Sequence, residues 1–290
     1  MKKTILFIIN PISGGKNKTK IIDAIPKLLD INRFDFSVIQ TKYAGHASEM
    51  TKNAVEKNID IVVAVGGDGT MNEVASSLVG SNTALAIIPC GSGNGLARDL
   101  GIPLQYKKAL QQINSLNIKP IDVGVCNNKH FFSLAGVGFD AQVAYDFNRG
   151  KKRSLFGYVW AILKAFFKTQ EHYYEIELEN GTISDWFFFI TIANCSQWGY
   201  NVKVAPEAKL DDGKLVVVLC KKPPLLSIIP FGIKVLTGKI EDSKYVIIKT
   251  SHKISINSDS EFYYHIDGDS KELTRKIDVG THNKILTVCK

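Results

Sequence analysis

Three short loops rich in small residues carry the polar groups of this sequence that are best suited to chemistry. They read Asn10-Pro11-Ile12-Ser13-Gly14-Gly15, Gly66-Gly67-Asp68-Gly69-Thr70 and Pro89-Cys90-Gly91-Ser92-Gly93-Asn94-Gly95. Glycine lets backbone N–H groups approach phosphate oxygens, and a helix that follows such a loop adds its positive N-terminus. A single loop of this kind is weak evidence, because ordinary turns also use glycine. Three of them, each after an apolar run, predict a phosphate ligand.

Asp68 sharpens this prediction because it is the one carboxylate inside these loops. A carboxylate would repel a phosphate unless a cation lies between them or the carboxylate has a chemical role. Phosphoryl transfer from a Mg²⁺-bound nucleotide uses that arrangement. The alternative is that Asp68 only caps a helix that starts near Thr70, since aspartate is a good N-cap.

The elements that must position these loops alternate between strand and helix patterns over the first 125 residues. The predicted strands, short and rich in β-branched residues, are Thr4–Ile9, Phe34–Thr41, Asp60–Val65 and Ala84–Ile88. The predicted helices between them are Lys18–Leu29, His46–Lys57 and Met71–Val79. This alternation predicts a doubly wound α/β domain with a parallel sheet, which binds ligands beyond the carboxyl ends of its strands.

The second half of the chain has a different pattern, in which strands dominate. Asn127-Asn128 and Asn180-Gly181 are hairpin-turn signals between apolar runs. The predicted strands are Val123–Cys126, His130–Ala135, Tyr173–Glu179, Ile183–Ala193, Lys214–Cys220, Tyr245–Lys249, Lys253–Asn257 and Phe262–Asp267. Two helical insertions, Ser154–Lys168 and Leu225–Thr237, interrupt them. We therefore predict domains at 1–125 (α/β, nucleotide-binding) and 126–290 (antiparallel β-sandwich), with the last strand able to return to the first domain.

Composition limits the classes of protein to which the chain can belong. With 45% hydrophobic and 22% charged residues among 290, it can form ordinary globular cores. The formal charge of +8 favours anionic partners such as nucleic acid, anionic lipid or phosphorylated ligands. Nucleic acid is the least favoured of these, because the basic residues are dispersed and form no recognised binding module.

Two further features predict a soluble protein of the cytoplasm. The five cysteines are scattered, which suits a reducing compartment better than a disulfide framework. The longest apolar stretch, Pro223 to Val235, contains Pro230 and Gly232 and is shorter than the roughly 18 residues of a membrane span. The apolar run Thr4–Ile9 is likewise too short for a signal peptide.

In order and spacing, the three loops resemble the catalytic-domain family of the diacylglycerol kinases. The resemblance lies in Asn10-Pro-Ile-Ser-Gly-Gly, Gly66-Gly-Asp-Gly-Thr-Met-Asn-Glu73 and Pro89-Cys-Gly-Ser-Gly-Asn94, and it extends over nearly the whole chain. The family includes bacterial diacylglycerol kinases as well as sphingosine and ceramide kinases. The resemblance implies an ATP- and Mg²⁺-dependent lipid kinase of phospholipid metabolism, with ATP bound between an α/β domain and a β-sandwich domain.

Carried over position by position, the resemblance implies an ATP site built mainly from the three loops, with Asp68 tied to catalytic Mg²⁺. The implied ATP-binding residues are Asn10, Ser13, Gly14, Thr41, Gly66, Gly67, Asp68, Gly69, Thr70, Met71, Asn72, Glu73 and Ser92. Many bacterial members have Gly-Thr where this chain has Gly91-Ser92, and Ser92-Gly93-Asn94 is more similar to the sphingosine kinases. Diacylglycerol (giving phosphatidic acid), a sphingoid base, a ceramide-like lipid and a polyprenol all remain open as acceptors.

The resemblance also implies a structural Mg²⁺ site in the second domain. The segment Lys209-Leu210-Asp211-Asp212-Gly213-Lys214 is similar to the turn that holds this ion in bacterial members. Asp212 would bind the metal with the carbonyls of Lys209 and Lys214, and Asp122 would assist through water. An ordinary Asp-Gly hairpin turn before the next strand explains the same residues equally well.

The segment His265-Ile266-Asp267-Gly268-Asp269 resembles the Asp-Gly-Glu element of the family, whose last carboxylate is the proposed proton acceptor. Asp269 takes that position here and is one methylene shorter than the usual glutamate. We expect Asp269 to accept the proton of the lipid hydroxyl, directly or through one water, with Asp267 in support. The alternative is an acidic turn that closes a strand.

A basic cluster beside an aromatic-rich helix is a candidate for peripheral contact with an anionic membrane. Arg149-Gly150-Lys151-Lys152-Arg153 precedes a helix whose apolar residues cover most of its circumference. Because such a helix is usually buried, we favour packing or a wall of the lipid pocket over membrane insertion. The expected location is the cytoplasm, with peripheral contact at the inner face of the membrane.

Two other functions remain as alternatives. NAD kinases share the Gly-Gly-Asp-Gly-Thr loop, so Gly66–Thr70 alone does not separate them from lipid kinases. A nucleotide- or lipid-binding regulator without catalysis is the second alternative, and the aspartate at position 269 is the feature that favours it. The sequence does not predict the oligomeric state.

Overall fold

A computed structural model describes residues 2–15, 18–149, 155–199 and 202–290. Within it the chain forms two compact units. The first comprises Met1–Ile121 together with Lys284–Lys290, and the second comprises Asp122–Asn283. The basic cluster at 149–153, predicted to contact membranes, lies largely outside the described residues.

The first unit is a parallel sheet with helices between its strands. Its strands are β1 (Lys3–Ile9), β2 (Phe34–Gln40), β3 (Ile61–Gly66) and β4 (Ala84–Pro89). Its helices are α1 (Thr19–Ile22), α2 (Ile25–Leu28), α3 (His46–Glu56), α4 (Asp68–Leu78), α5 (Gly95–Asp99) and α6 (Tyr106–Ile113). The strand order is β2-β1-β3-β4, and every adjacent pair is parallel. Since β3 and β4 are buried along their whole lengths, their continuous apolar runs follow from a sheet covered on both faces.

Two predictions for this unit need correction. The single helix predicted over Lys18–Leu29 is wrong, because α1 ends at Ile22 and α2 begins at Ile25. Pro26 lies in the first turn of α2, where its missing N–H is tolerated, whereas a continuous helix would lose a hydrogen bond there. Helices α5 and α6 were not predicted; α5 is only five residues long, too short for an apolar period to show.

The second unit contains twelve strands and three α-helices among its described residues. The strands are β5 (Ile118–Cys126, which begins in the first unit), β6 (Lys129–Phe131), β7 (Leu134–Gly138), β8 (His172–Leu178), β9 (Gly181–Phe187), β10 (Phe189–Ala193), β11 (Gln197–Gly199), β12 (Val202–Lys203), β13 (Leu215–Cys220), β14 (Val246–Ser251), β15 (Lys253–Ile266) and β16 (Asp269–Cys289, which ends in the first unit). The helices are α7 (Phe139–Arg149), α8 (Leu155–Lys168) and α9 (Ile228–Leu236). Antiparallel pairing gives the order β14-β13-β10-β7-β15, and β15 also pairs with β8 and β16.

Both faces of the β10–β13 pair are buried, which explains their continuous apolar sequences. Ile190 and Leu219 belong to a core made by strand residues of β7, β8, β15 and β16. Phe189 and Val218, which point to the opposite face, belong to a second core that contains residues of α7, α8 and α9. The predicted fold class, an α/β unit followed by an antiparallel β-sandwich, is confirmed.

The predicted hairpins of the second unit are confirmed, but one turn and several strand limits are wrong. The turn predicted at Asn180-Gly181 lies one residue earlier, at 179–180, because Leu178 pairs with Gly181. Asn127 and Asn128 both have positive φ between β5 and β6, as a tight two-residue hairpin requires. The predicted strand His130–Ala135 is two strands, and Ile183–Ala193 is also two, with Phe188 between them. The separate strands Lys253–Asn257 and Phe262–Asp267 form the single strand β15, whose register shifts between Asn257 and Phe262.

Helix α7 and most of β16 were not predicted. At its C-terminal end β16 pairs in parallel with β4 inside the first unit, where Val288 lies opposite Leu85. The predicted helix Leu225–Thr237 begins with a 3-10 turn, Leu225–Ser227, before α9. Among the described residues, no helix combines the length and the apolar character needed to cross a bilayer.

Candidate active site

The three small-residue loops of the first unit meet at the carboxyl ends of β1, β3 and β4. A Cβ atom added to Gly14 would lie 1.8 Å from the carbonyl oxygen of Cys90, and one added to Gly91 would lie 2.7 Å from the Cα of Gly67. The backbone N–H of Cys90 donates to the carbonyl of Gly66 at 2.7 Å. Glycine is therefore required where the loops touch, because any side chain would push them apart.

Asp68 links the second loop to the third. Its two carboxylate oxygens accept hydrogen bonds of 3.0 Å from the backbone N–H groups of Asn94 and Gly95, at the start of α5. Helix α4 begins at Asp68 itself, and Asp68 does not cap a helix starting near Thr70, so that alternative is wrong in this form. Each carboxylate oxygen has two lone pairs, so these bonds leave acceptor capacity for a cation.

Asn10 orders the first loop and joins it to the second. Its side-chain amide donates to the Thr70 hydroxyl at 2.9 Å, and its side-chain oxygen accepts from the N–H of Ile12 at 3.1 Å. The hydroxyl of Ser13 donates to the carbonyl of Asn10 at 3.0 Å. The sequence reasoning missed Lys18, whose buried ammonium donates to the carbonyl of Ser13 at 2.6 Å. A lysine three residues after the glycine pair was the available signal.

The predicted ATP-binding residues outside the glycine-rich part of the loops differ in their contacts and in their exposure. The carboxylate of Glu73 accepts the N–H groups of Gly45 and Ala47, at the beginning of α3, so its contacts anchor that helix. The backbone N–H of Thr41 donates to the carbonyl of Ile9 at 2.9 Å. Met71 is buried, Asn72 is half-buried and Ser92 is exposed.

The converging loops fit a phosphate-bearing ligand. A Cβ atom added to Gly15 or Gly69 would meet no atom of the described residues within 4 Å, so space lies open beside both within that part of the chain. Gly15 belongs to the first loop, and Gly69 lies in the first turn of α4, where the helix dipole favours negative charge. The backbone of these loops can thus be approached closely, as phosphate binding requires.

In the second unit, a tight turn between β15 and β16 presents the candidate proton acceptor. Asp267 and Gly268 have φ values of +49° and +81°, and Ile266 pairs with Asp269 across the turn. Positive φ at both central residues is the geometry of a two-residue type I′ hairpin, which favours Asp-Gly. Asp269 is exposed at the first position of β16.

The two aspartates of this turn differ in what their carboxylates contact. Asp267 accepts the backbone N–H groups of Phe132, Ser133 and Leu134 at 2.9, 2.8 and 3.1 Å. These bonds interrupt the predicted strand His130–Ala135 and fix the turn against the start of β7. Asp267 is thereby used as a structural acceptor, whereas the exposed carboxylate of Asp269 fits a chemical role better.

A buried pair of side chains supports the same turn, and the sequence reasoning missed it. The imidazole Nε2 of His265 lies 3.2 Å from a carboxylate oxygen of Asp140, and both side chains are buried. That carboxylate oxygen also accepts the Thr191 hydroxyl at 2.6 Å. The Nδ1 of His265 accepts the backbone N–H of Gly268 at 3.3 Å, which places the proton of a neutral imidazole on Nε2. Although Nε2 lies close to Asp140, its geometry gives no hydrogen bond within the described part of the chain.

The charge of Asp140 affects a neighbouring side chain. Burial raises the pKa of Tyr174 above its usual range, and the carboxylate of Asp140 raises it further. Tyr174 is fully buried in the strand core of the second unit. The interior near the turn thus contains a tyrosine kept neutral, a carboxylate and an imidazole.

The predicted second-domain metal residues lie close together. The buried carboxylate of Asp122 accepts the N–H of Gly213 at 2.6 Å, and its own N–H donates to the carbonyl of Leu210 at 2.6 Å. Asp212 is exposed, and its carboxylate accepts the N–H of Lys214 at 3.0 Å. In the part of the chain that the structure describes, no group of three or more His, Cys, Asp or Glu residues is placed to hold a metal. A site here would therefore depend on backbone carbonyls, such as that of Lys209.

Comparison with family models matches both halves of the chain. Residues 4–126 match the diacylglycerol kinase catalytic domain. Residues 133–278 match the YegS C-terminal NAD kinase beta sandwich-like domain. The two matched ranges together cover most of the chain, in the order in which the α/β and β-rich patterns occur.

Full-length relatives and solved structures agree with these matches. A diacylglycerol kinase of Staphylococcus aureus (strain MRSA252) is 30% identical over 99% of this chain and 95% of its own length. One from Bacillus subtilis (strain 168) is 29% identical over 92% and 90%. The crystal structure of a putative diacylglycerol kinase from Bacillus anthracis str. Sterne, 25% identical, superposes with a TM-score of 0.83 over 99% of this chain and 95% of that one.

A more distant structure shares the fold alone. An NAD kinase from Archaeoglobus fulgidus in complex with ATP has a TM-score of 0.53, with coverage of 100% of this chain and 94% of that one. Its sequence identity to this chain is 13%, so the likeness concerns the arrangement of strands and helices.

Proposed function

The chain belongs to the diacylglycerol kinase family, and we propose that it transfers the γ-phosphate of ATP to the hydroxyl group of a lipid, with diacylglycerol as the first candidate. The sequence predicted that the chain belongs to this family and is a kinase, and the matches along both halves of the chain confirm both predictions. The proposal goes further by naming the donor, the metal, the acceptor and the residues.

One observation supports the proposal above all others, namely the meeting of the three glycine loops around Asp68. The carboxylate oxygens of Asp68 hold the N–H groups of Asn94 and Gly95, while Gly14 packs against the carbonyl of Cys90. A triphosphate has negative oxygens that suit such exposed backbone and helix starts. The proposed ATP-binding set is the one predicted from the sequence, with Lys18 added because it fixes the carbonyl of Ser13.

Within this proposal, Asp269 accepts the proton of the lipid hydroxyl while the hydroxyl oxygen attacks the γ-phosphorus. The new oxygen–phosphorus bond forms as the bond to the β-phosphate oxygen breaks, which gives a phosphorylated lipid and ADP. Asp269 is exposed and so is accessible to a substrate, whereas the Asp267 carboxylate is held by three backbone N–H groups. Asp267 is proposed to position the turn.

Mg²⁺ would neutralise charge on the phosphates and orient them, and Asp68 is the residue proposed to hold it. Asp68 lies in the first turn of α4, next to Gly69, beside which space is open. A second, structural Mg²⁺ is proposed at Asp212 with the carbonyls of Lys209 and Lys214, near Asp122. The exposed carboxylate of Asp212 and the oxygen-rich turn suit a hard cation.

The proposed acceptor is a lipid at the cytoplasmic face of a membrane, and its product would enter phospholipid synthesis. Diacylglycerol is placed first because relatives at about 30% identity over nearly their whole length have that name. Ser92-Gly93-Asn94 keeps a sphingoid base, a ceramide-like lipid and a polyprenol in the set to be tested. NAD is included because the fold is shared with an NAD kinase.

The experiment measures transfer of labelled γ-phosphate from Mg²⁺-ATP to each dispersed lipid and, separately, to NAD. The protein is the full chain, and Asp68→Ala is the inactive control, with Asp35→Ala as a matched exposed aspartate on β2. We expect a labelled lipid from the wild type and from Asp35→Ala, and none from Asp68→Ala.

Other results would redirect the assignment. Label on NAD alone would replace the lipid kinase with an NAD kinase. Measurable ATP binding without transfer to any acceptor would favour the non-catalytic regulator. Equal lipid labelling by Asp68→Ala would contradict the role proposed for the loops.

A further inference from the structure

Helix α9 and the turn before it expose a row of large apolar side chains. Leu225, Leu226, Ile229, Ile233 and Leu236 are 66%, 96%, 75%, 55% and 68% exposed. Ile229, Ile233 and Leu236 are spaced by four and three residues, so they lie on one side of the helix. The other side is packed, because Val235 is buried and Ile228 and Phe231 contact the core that contains residues of α7, α8 and α9, which we call the helix-side core.

Helix α8 has the same division between a packed and an exposed side. Ala165 and Phe166 are buried in the helix-side core, to which α9 also contributes. Trp160, Leu163 and Phe167, spaced by three and four residues, are 64%, 44% and 66% exposed. Exposed apolar clusters of this kind on a water-soluble domain mark an interaction surface.

The segments that carry the two exposed rows meet at the C-terminal end of α8. Lys222, just before the 3-10 turn, donates its backbone N–H to Glu171 at 2.7 Å and its ammonium to the carbonyl of Thr169 at 2.6 Å. The same ammonium lies 5.3 Å from the centroid of the Phe166 ring. The segment that leads into α9 is thereby fixed against the C-terminal end of α8. We call the exposed apolar side chains of α8 and of residues 225–236 the two-helix face.

The charges within the segments that form the two-helix face are all of one sign. Between residues 221 and 239 the sequence has four lysines and neither aspartate nor glutamate. Between residues 155 and 170 it has two lysines and again neither acid. Two of these six lysines form ion pairs, Lys221 with Asp185 and Lys164 with Asp146, and these acids lie outside both segments. The ammonium groups of Lys222 and Lys234 donate to the backbone carbonyls of Thr169 and Asp242, and Lys168 and Lys239 are exposed. Apolar side chains accompanied by lysines complement a surface that has negatively charged groups above an apolar interior.

We propose that the two-helix face docks on the surface of a bilayer that contains anionic phospholipid. The apolar side chains would enter the boundary between headgroups and acyl chains, and the lysines would contact the headgroups. Helix α9 has nine residues and is far too short to span a bilayer, so it would lie in the plane of the interface. A second copy of the chain fits this face less well, because a symmetric dimer would bring the lysines of both copies together. This inference extends the proposed function, since it names where the enzyme meets its lipid.

The structure revises what the sequence suggested about the aromatic-rich helix. We expected packing or a wall of the lipid pocket rather than membrane insertion, because apolar residues cover most of its circumference. Ala165 and Phe166 are indeed packed, but Trp160 and Phe167 are mostly exposed. Among the side chains of α8 that the structure describes, those packed into the core therefore lie on one side of the helix.

The test is co-sedimentation of the full chain with vesicles, without ATP or diacylglycerol. One set of vesicles contains equal amounts of phosphatidylglycerol and phosphatidylcholine, and the other contains phosphatidylcholine alone. The variant Leu226→Asp/Ile229→Asp places two negative charges in the two-helix face. The matched control, Ile31→Asp/Leu104→Asp, changes two exposed apolar residues of the first unit, which are 52% and 38% exposed.

We expect the wild type and the control to sediment with the anionic vesicles, and the Leu226→Asp/Ile229→Asp variant to bind them at least about 10-fold more weakly. The wild type should also bind vesicles of phosphatidylcholine alone more weakly than the anionic vesicles. Added salt should weaken its binding to the anionic vesicles. Unchanged melting temperatures would show that both variants fold. Equal vesicle binding by all three proteins would overturn the inference. A change from dimer to monomer caused by the variant in analytical ultracentrifugation, with vesicle binding intact, would assign the face to a second copy and also overturn it.

A kinase assay separates this inference from the proposed function. On a water-soluble, short-chain diacylglycerol the variant should phosphorylate at the wild-type rate, whereas on diacylglycerol in anionic vesicles its rate should fall. Vesicle binding that depends on the two-helix face in a protein without any kinase activity would leave the inference standing and remove the proposed function. Kinase activity on vesicles that is equal in the wild type and the variant would remove the inference and leave the proposed function standing.

Discussion

The carboxylate of Asp68 accepts the backbone N–H of Gly95 at 3.0 Å, which joins the loop after β3 to the start of α5. The neighbouring N–H of Asn94 is held by the other carboxylate oxygen. One side chain thus fixes the geometry of two of the glycine loops and places a negative charge between them. These bonds give Asp68 a structural role, and substitutions can separate that role from the cation-binding role proposed for it.

The variant Asp68→Asn should keep much of the loop geometry while losing catalysis. Asparagine retains one oxygen that can accept a backbone N–H but has no negative charge for a cation. We expect kcat to fall by about 100-fold or more, with a small change in melting temperature. Steady-state kinetics and a thermal melt on the same preparation measure both. Wild-type kcat in Asp68→Asn would restrict the residue to fixing the loops.

Gly14 and Gly15 offer a matched pair for testing loop contact. Their φ values are +60° and +59°, so alanine causes similar backbone strain at either position. Only at Gly14 does the added Cβ collide with the carbonyl of Cys90, since space lies open beside Gly15. Gly14→Ala must move the first loop, and a displacement of about 1 Å costs roughly 100-fold in rate. ATP affinity from calorimetry and kcat/KM should fall far more in Gly14→Ala than in Gly15→Ala, and equal losses would refute the contact.

Asp267 and Asp269 should respond differently to substitution. Asp267→Ala leaves three backbone N–H groups without their acceptor, so the free energy of unfolding should fall by at least about 2 kcal/mol. Asp269→Asn removes an exposed carboxylate, so stability should be retained while kcat falls by about 100-fold or more, as expected for a general base. Urea unfolding and kinase assays on both variants test this division. If Asp267→Ala were stable but inactive and Asp269→Asn were active, Asp267 would be the proton acceptor and the role proposed for Asp269 would be wrong.

The hydrogen bonds of Asp60 should make an acid-sensitive contribution to the stability of the first unit. Burial raises the pKa of its carboxyl, but hydrogen bonds from the N–H and hydroxyl of Thr4 and from Lys3 outweigh burial, so the pKa is lowered in the folded state. Because the folded pKa is the lower one, this contribution is complete above the ordinary carboxyl pKa. It is lost as the pH falls through the folded pKa.

The variant Asp60→Asn should show this pH dependence as a difference from the wild type. At neutral pH the wild type should be more stable by up to about 1 kcal/mol, since the site is partly exposed. Unfolding in urea at pH 7 and at about pH 3 should show the difference shrinking in acid. A difference that grows in acid would contradict the lowered pKa.

Much of the architecture could be predicted from the sequence because it depends on local patterns. The strand–helix alternation before residue 125, the turn at Asn127-Asn128 and the hairpin around Asn180 are encoded by neighbouring residues. The break between α1 and α2 has a local signal in Pro26, which the apolar spacing of Lys18–Leu29 concealed. The 21 residues of β16 were hidden because its first eight residues, 269–276, include no buried one, so no regular apolar pattern marks where the strand begins.

Only those parts of the candidate site that lie in short sequence motifs could be predicted. The loops and the Asp267–Asp269 turn have compact signatures, whereas Asp140 and His265 are 125 positions apart and meet only in the folded unit. The structural use of Asp267 was equally hidden, because its partners Phe132, Ser133 and Leu134 donate backbone N–H groups, which no residue type reveals.

The most direct test of lipid phosphorylation is the initial rate at which the full chain converts dispersed diacylglycerol to phosphatidic acid, with labelled ATP and with or without Mg²⁺. We expect label in phosphatidic acid from the wild type with Mg²⁺, a rate at least about 100-fold lower in Asp269→Asn, and no label when Mg²⁺ is chelated. ATP consumption with no labelled lipid, or lipid labelling that is equal in Asp269→Asn and the wild type, would contradict the account.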